Sequence, residues 1–82
     1  MVYEFYIKNA NIEQLRQLVG FAESLKSTQY TYLDYRNRVT STLKTSVFKV
    51  KCSRDDYHEI FYWLKNRKIT GRVLMSNEEV NI

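Results

Sequence analysis

The 82-residue sequence contains no proline and only two glycines, Gly20 and Gly71. Disordered and linker-rich chains draw heavily on both residues, so their scarcity predicts one ordered domain spanning residues 1–82. A single cysteine, Cys52, leaves no partner for an intrachain disulfide and favours a reducing, cytoplasmic setting. The one histidine, His58, has no cysteine, aspartate or serine at metal-ligand or triad spacing. Asp55 and Asp56 are adjacent and so do not face each other on a helix, which makes them a poor acid–base pair. There is no glycine-rich phosphate loop. These absences predict a protein that is not an enzyme and needs no metal or cofactor. No uncharged run is long enough to cross a bilayer. The first residues carry Glu4 and strand-like alternation, not a signal peptide, and no internal repeat is visible.

What the chain does hold is aromatic area. Seven Tyr, four Phe and one Trp make up 15% of the residues, within a hydrophobic content of 44%. That suffices for one core in a domain that buries only about 60–65% of its unfolded surface. The net charge is +4, an excess that permits an acidic partner without demanding one.

The stretch Ser46–Met75 organises the rest. Phe48, Val50 and Cys52 alternate with Lys49 and Lys51, which predicts a strand with apolar residues on one face and lysines on the other. Ser53 with Asp56 resembles a helix-opening capping box with Asp in place of Glu. Tyr57, Ile60, Phe61 and Leu64 then form one helical stripe, ended by Asn66, Arg67 and Lys68. Gly71 turns the chain into a short strand, Arg72–Met75.

Met1–Lys8 alternates as a strand, with Tyr3, Phe5 and Ile7 on one face and Glu4, Tyr6 and Lys8 on the other. Asn11 with Gln14 is a second capping-box pattern, and Ile12, Leu15, Leu18, Val19, Ala22 and Leu25 predict a helix to about Lys26. Gly20 within it costs about 1 kcal/mol relative to alanine and suggests a close packing contact. Tyr30–Arg38 is rich in strand formers. Placing Leu33 and Tyr35 inward sends Tyr32, Asp34, Arg36 and Arg38 outward, although Tyr30 and Tyr32 compete for the core. Residues 39–45 fit either a long hairpin or a loop, and residues 76–82 either a loosely ordered tail or a further strand.

The element order is β-α-β-β-α-β. The simplest closed solution is an α+β, ferredoxin-like sandwich with two helices on one face of a four-stranded antiparallel sheet. Phe5-Tyr6-Ile7-Lys8-Asn9 resembles the first-strand motif of the RNA-recognition motif family, and Phe48 through Met75, including Ile69-Thr70-Gly71-Arg72-Val73-Leu74, resembles that family's second half. The third strand departs from the pattern. Ser46 and Phe48 stand where the family carries two aromatics on the open sheet face, and the alternation turns Phe48 inward. The resemblance implies the fold and, through it, a single-stranded RNA partner.

The open face then carries Tyr6, Lys8, Tyr32, Arg36, Arg38, Lys49 and Lys51, with Glu4 and Asp34 as its acids. Cations that meet phosphates, interleaved with tyrosines that stack on unpaired bases, suit a single-strand binder. The plainer reading is a solvated face whose charges keep an exposed sheet soluble. Lys65, Asn66, Arg67, Lys68 and Arg72 at the end of the second helix form a second cluster, for phosphate contact, with Arg67, Lys68 and Arg72 as the candidates, or for compensation of the helix dipole. Tyr62 and Trp63 flank the buried stripe and suit a protein contact, including one with a second copy of the chain, if they do not complete the core edge.

Two function classes follow. One is a small nucleic-acid binding module, with RNA favoured. The other is a protein-binding inhibitor or adaptor. A short chain rich in Asn and Tyr and without proline resembles the accessory proteins by which bacteriophages block a host enzyme or nucleoprotein complex, which speaks for the second class.

Overall fold

A computed structural model describes residues 1–36 and 45–82. Its elements are β1 (Val2–Ile7), α1 (Ile12–Glu23), β2 (Tyr30–Asp34), β3 (Ser46–Lys51), α2 (Arg54–Asn66), β4 (Gly71–Met75) and β5 (Glu78–Asn81). The fold is α+β, with two helices and one antiparallel sheet of order β2-β3-β1-β4-β5. That order is compatible with a ferredoxin-like arrangement, but the described sheet has five strands where the sequence predicted four. The extra strand comes from the polar tail. Val80 pairs opposite Val73, and the alternation of Val80 between Glu79 and Asn81 lets the tail return along β4 with one side chain half-buried.

Period-two alternation drives the sheet. Tyr3, Phe5 and Ile7 from β1, Phe48 and Val50 from β3 and Val73 and Met75 from β4 are buried on one face. The helices close that face with Leu15, Leu18 and Ala22 from α1 and Tyr57, Ile60 and Leu64 from α2. The sheet register puts Phe5 directly opposite both Phe48 and Val73, so the core centres on that side chain. Ser46 is also buried, and its hydroxyl accepts the Arg36 amide at 2.9 Å, which extends the β2–β3 pairing past Asp34.

Local signals decide the helix ends. Asn11 and Gln14 form the full reciprocal box, with bonds of 2.8 and 3.0 Å between the side chain of each and the backbone amide of the other. At α2 only half of the box forms. Ser53 accepts the Asp56 amide at 3.3 Å, but the Asp56 carboxylate engages Ser27 instead of turning back to Ser53. The Ser53 amide donates to Ser27 Oγ at 2.8 Å. Aspartate is one methylene shorter than glutamate, and a serine from the α1–β2 connector takes over the amide that a glutamate would have reached. Helix α1 ends at Glu23, short of the expected Lys26, where the Ser24 hydroxyl bonds back to the Phe21 carbonyl at 2.6 Å. Gly20 is exposed, and a Cβ there meets nothing within 4 Å among the described residues, so no packing contact of the expected kind is found among them. Gly71 has a firm reason: a Cβ there would strike the Tyr6 carbonyl oxygen, because β4 starts tight against β1.

Candidate nucleic-acid interface

The sheet face opposite the helices is ordered in rows by the strand register. One row runs Asp34, Val47, Tyr6, Arg72, Asn81, and the next runs Tyr32, Lys49, Glu4, Leu74, Glu79, in each case from β2 to β5. A third begins with Tyr30 and Lys51. The competition for the core on β2 is resolved in favour of Leu33 and Tyr35, which are half-buried against it, while Tyr30 and Tyr32 are 46% and 52% exposed.

Two tyrosines of this face, Tyr6 and Tyr32, each have a cation over the ring. The Arg72 guanidinium lies 5.0 Å from the Tyr6 centroid and Lys49 Nζ lies 5.9 Å from that of Tyr32, within cation–π range. Each cation also meets a carboxylate. Arg72 is 3.4 Å from Glu79, Lys49 is 3.8 Å from Glu4 and Arg36 is 2.8 Å from Asp34. The pairs are partly exposed, so each contributes at most about 1 kcal/mol and gives way readily to a better anion. The Tyr6 hydroxyl donates to Glu4 at 2.8 Å, and this bond to the carboxylate, followed by burial, holds its pKa above the usual tyrosine value. Lys8 and Lys51 are exposed on the same face. The acids on this face thus number three rather than the expected two. Glu79 was legible only to a reading that made the tail a strand.

At the β5 side, Tyr6, Lys8, Thr45, Gly71, Arg72, Glu79 and Asn81 line an open depression of about 370 Å³. That volume is at the lower end of small-ligand pockets, about 300–1,000 Å³.

Other candidate residues lie elsewhere. Arg38 lies outside the described residues. Arg67 folds back on α2: its guanidinium stacks 3.8 Å from the Trp63 ring centroid and donates to the Trp63 carbonyl at 3.2 Å. Trp63 in turn stacks on Phe21 of α1, with centroids 5.7 Å apart, and so joins the helix seam. Tyr62 parts company with its neighbour and is 55% exposed beside a groove lined by Phe61, Met75 and Val80. Lys68 sits in the turn after α2, whereas Arg72 has crossed to the sheet face, so the second basic cluster is split. Phe48 and Ser46 are both buried, and the open face of β3 presents Val47, Lys49 and Lys51 instead of aromatics.

Cys52 is buried at the end of β3, and burial, with Asp56 nearby, raises its thiol pKa, which makes it a poor nucleophile. Among the described residues no three His, Cys, Asp or Glu side chains are grouped to hold a metal ion, and no helix is long and apolar enough to cross a membrane. No protein-family model, curated protein or solved structure matches the chain.

Proposed function

We propose that the chain is a small non-enzymatic module that binds single-stranded nucleic acid, RNA in the first instance, on the open face of its sheet. The observation that carries this reading is the pairing of Tyr6 with Arg72 and of Tyr32 with Lys49 on one rigid surface. Flat rings accept bases, and the cations beside them accept the phosphates on either side. Lys8, Lys51 and Arg36 add positive charge, so five cations face the three carboxylates of Glu4, Asp34 and Glu79. In this reading β1–β4 and the two helices are the ferredoxin-like unit and β5 is an addition to its edge. The chain acts in the cytoplasm, where Cys52 stays reduced.

Titration of short RNA strands against the protein at a series of salt concentrations tests the reading. Each phosphate neutralised on a single strand contributes about −0.7 to the slope of log K against log salt, so three to five contacts give roughly −2 to −3.5. Lys51→Ala should flatten the slope by about 0.7 and weaken all sequences alike. Tyr6→Ala should cost about 1–3 kcal/mol with little change in slope. Absence of salt-dependent binding to any single strand at low ionic strength refutes the proposal.

A second reading rests on Tyr62. Its exposure beside the α2–β5 groove suits an anchor for a protein partner, as in an inhibitor or adaptor of the kind phages direct at host complexes. Loss of partner capture in Tyr62→Ala, with RNA binding unchanged, would favour it.

A further inference from the structure

We infer that the depression between Tyr6 and β5 is a guanine-selective base pocket, with Glu79 as the residue that reads the base; the inference rests on the nucleic-acid reading above. Strand β5 brings two side chains to the open face that can recognise a base edge. Asn81 stands opposite Arg72 in the row that contains Tyr6, and Glu79 stands in the adjacent row, bonded to Arg72 at 3.4 Å. Both line the same depression as Tyr6, Lys8 and Arg72. A base laid over Tyr6 and Arg72 has a stacking surface beneath it, a carboxylate and an amide along one side, and the Lys8 ammonium for its phosphate.

The chemistry of the carboxylate selects the base. An ionised glutamate only accepts hydrogen bonds, with about four lone-pair directions on its two oxygens. Arg72 uses one of them. A guanine offers two parallel donors, N1–H and the N2 amino group, which match both carboxylate oxygens. Cytosine and adenine each place an acceptor nitrogen beside their single amino donor, and uracil places carbonyls on both sides of N3–H. Each of those acceptors would face a carboxylate oxygen with no proton between them, which is a repulsive contact. The guanine O6 that remains takes a donor, and the Asn81 amide supplies one.

The experiment compares binding of short oligouridylate strands that carry one central guanine, adenine, cytosine or hypoxanthine. The guanine strand should bind about tenfold or more tighter than the adenine and cytosine strands, the size of one bidentate side chain–base pair. Hypoxanthine keeps N1–H but lacks the N2 amino group and should fall between. In Glu79→Gln the ratio should collapse toward one while the unsubstituted oligouridylate still binds. The ratio is the readout, because the substitution also releases Arg72 and strengthens binding to every strand. Equal binding of all strands by the unmodified protein overturns the guanine pocket and leaves the nucleic-acid reading standing. A guanine preference that survives Glu79→Gln overturns the role of Glu79. Absence of binding to any strand overturns both.

Discussion

The side chain of Asn9 holds the backbone of Lys68 in a left-handed turn. Asn9 Nδ2 donates to the Lys68 carbonyl at 3.1 Å, and Asn9 Oδ1 accepts the Thr70 amide at 2.7 Å. Lys68 has φ of 58°, and the amides of Lys68 and Ile69 bond to the carbonyls of Lys65 and Leu64 at 3.0 and 3.1 Å. This is a Schellman ending of α2, with Leu64 and Ile69 both buried in the core, but with lysine where glycine is usual. A left-handed non-glycine residue costs about 1–2 kcal/mol. Lys68→Gly should therefore stabilise the protein by about 1 kcal/mol, and Asn9→Ala should destabilise it by about 1 kcal/mol because it removes two solvent-exposed side chain–backbone bonds. Urea denaturation of the two variants measures both. A destabilised Lys68→Gly would show that the lysine side chain makes a contribution larger than the strain.

Gly20 gives a second stabilising substitution. The position is inside α1, exposed, and open to an added methyl group. Gly20→Ala should raise stability by about 1 kcal/mol through helix propensity alone, with no change in RNA affinity. A thermal melt that leaves Tm unchanged would overturn the helix-propensity argument.

The strength and the limit of sequence reading show in the same strands. Alternation in β1 and β3 placed Phe5, Phe48 and Val50 in the core, because period-two burial is written into each strand by itself. It also put Tyr6 and Lys49 on the open face. The features that were not legible depend on two segments at once. Glu79 reaches the face only because the tail pairs with β4, and a four-residue strand with one apolar side chain has no signal of its own. The sequence left open whether Tyr62 or Trp63 completes the core edge, and only Phe21 from the other helix decides it for Trp63. The half-formed box at Ser53 likewise depends on Ser27, far away in sequence.

The stacked pair Tyr3 and Tyr57 sets the response to alkali. Their rings lie 4.3 Å apart and 6° from parallel, and burial raises the pKa of both, with Tyr3 further disfavouring ionisation of Tyr57. The folded state thus holds these protons more tightly than the unfolded state, whose tyrosines titrate near pH 10. Stability from this source is complete below about pH 10 and is lost as pH rises from there through the folded values. Cys52 acts with the same sign and begins earlier, because an ordinary thiol titrates below a tyrosine. Urea midpoints measured from pH 8 to 11 should fall along this course. Tyr3→Phe should flatten the fall at little cost in stability at neutral pH, since the Tyr3 hydroxyl meets only the Met1 sulfur among the described residues, at 3.6 Å. An unchanged alkaline profile in that variant would remove Tyr3 from the explanation.

Glu4 is the carboxylate that engages both Lys49 and Tyr6 on the open sheet face, and under the nucleic-acid proposal its replacement separates charge from stacking. It lies between Lys49 and Leu74 in its row, 3.8 Å from Lys49 Nζ, and it accepts the Tyr6 hydroxyl. Glu4→Gln keeps the shape and a hydrogen-bond acceptor but removes the charge. The Tyr6 pKa should fall toward the ordinary tyrosine value, because the bond to the carboxylate is the largest cause of its rise. An ultraviolet titration, with Tyr6→Phe as the blank, reads that shift. Stability should change by less than about 1 kcal/mol, since the lost ion pair is long and partly exposed. Affinity for single-stranded RNA should increase, and the salt slope should steepen by up to about 0.7 as Lys49 becomes available to a phosphate. If the Tyr6 shift occurs and RNA affinity stays the same, Lys49 does not contact the strand, and the binding path runs along β1, β4 and β5 rather than across the whole sheet.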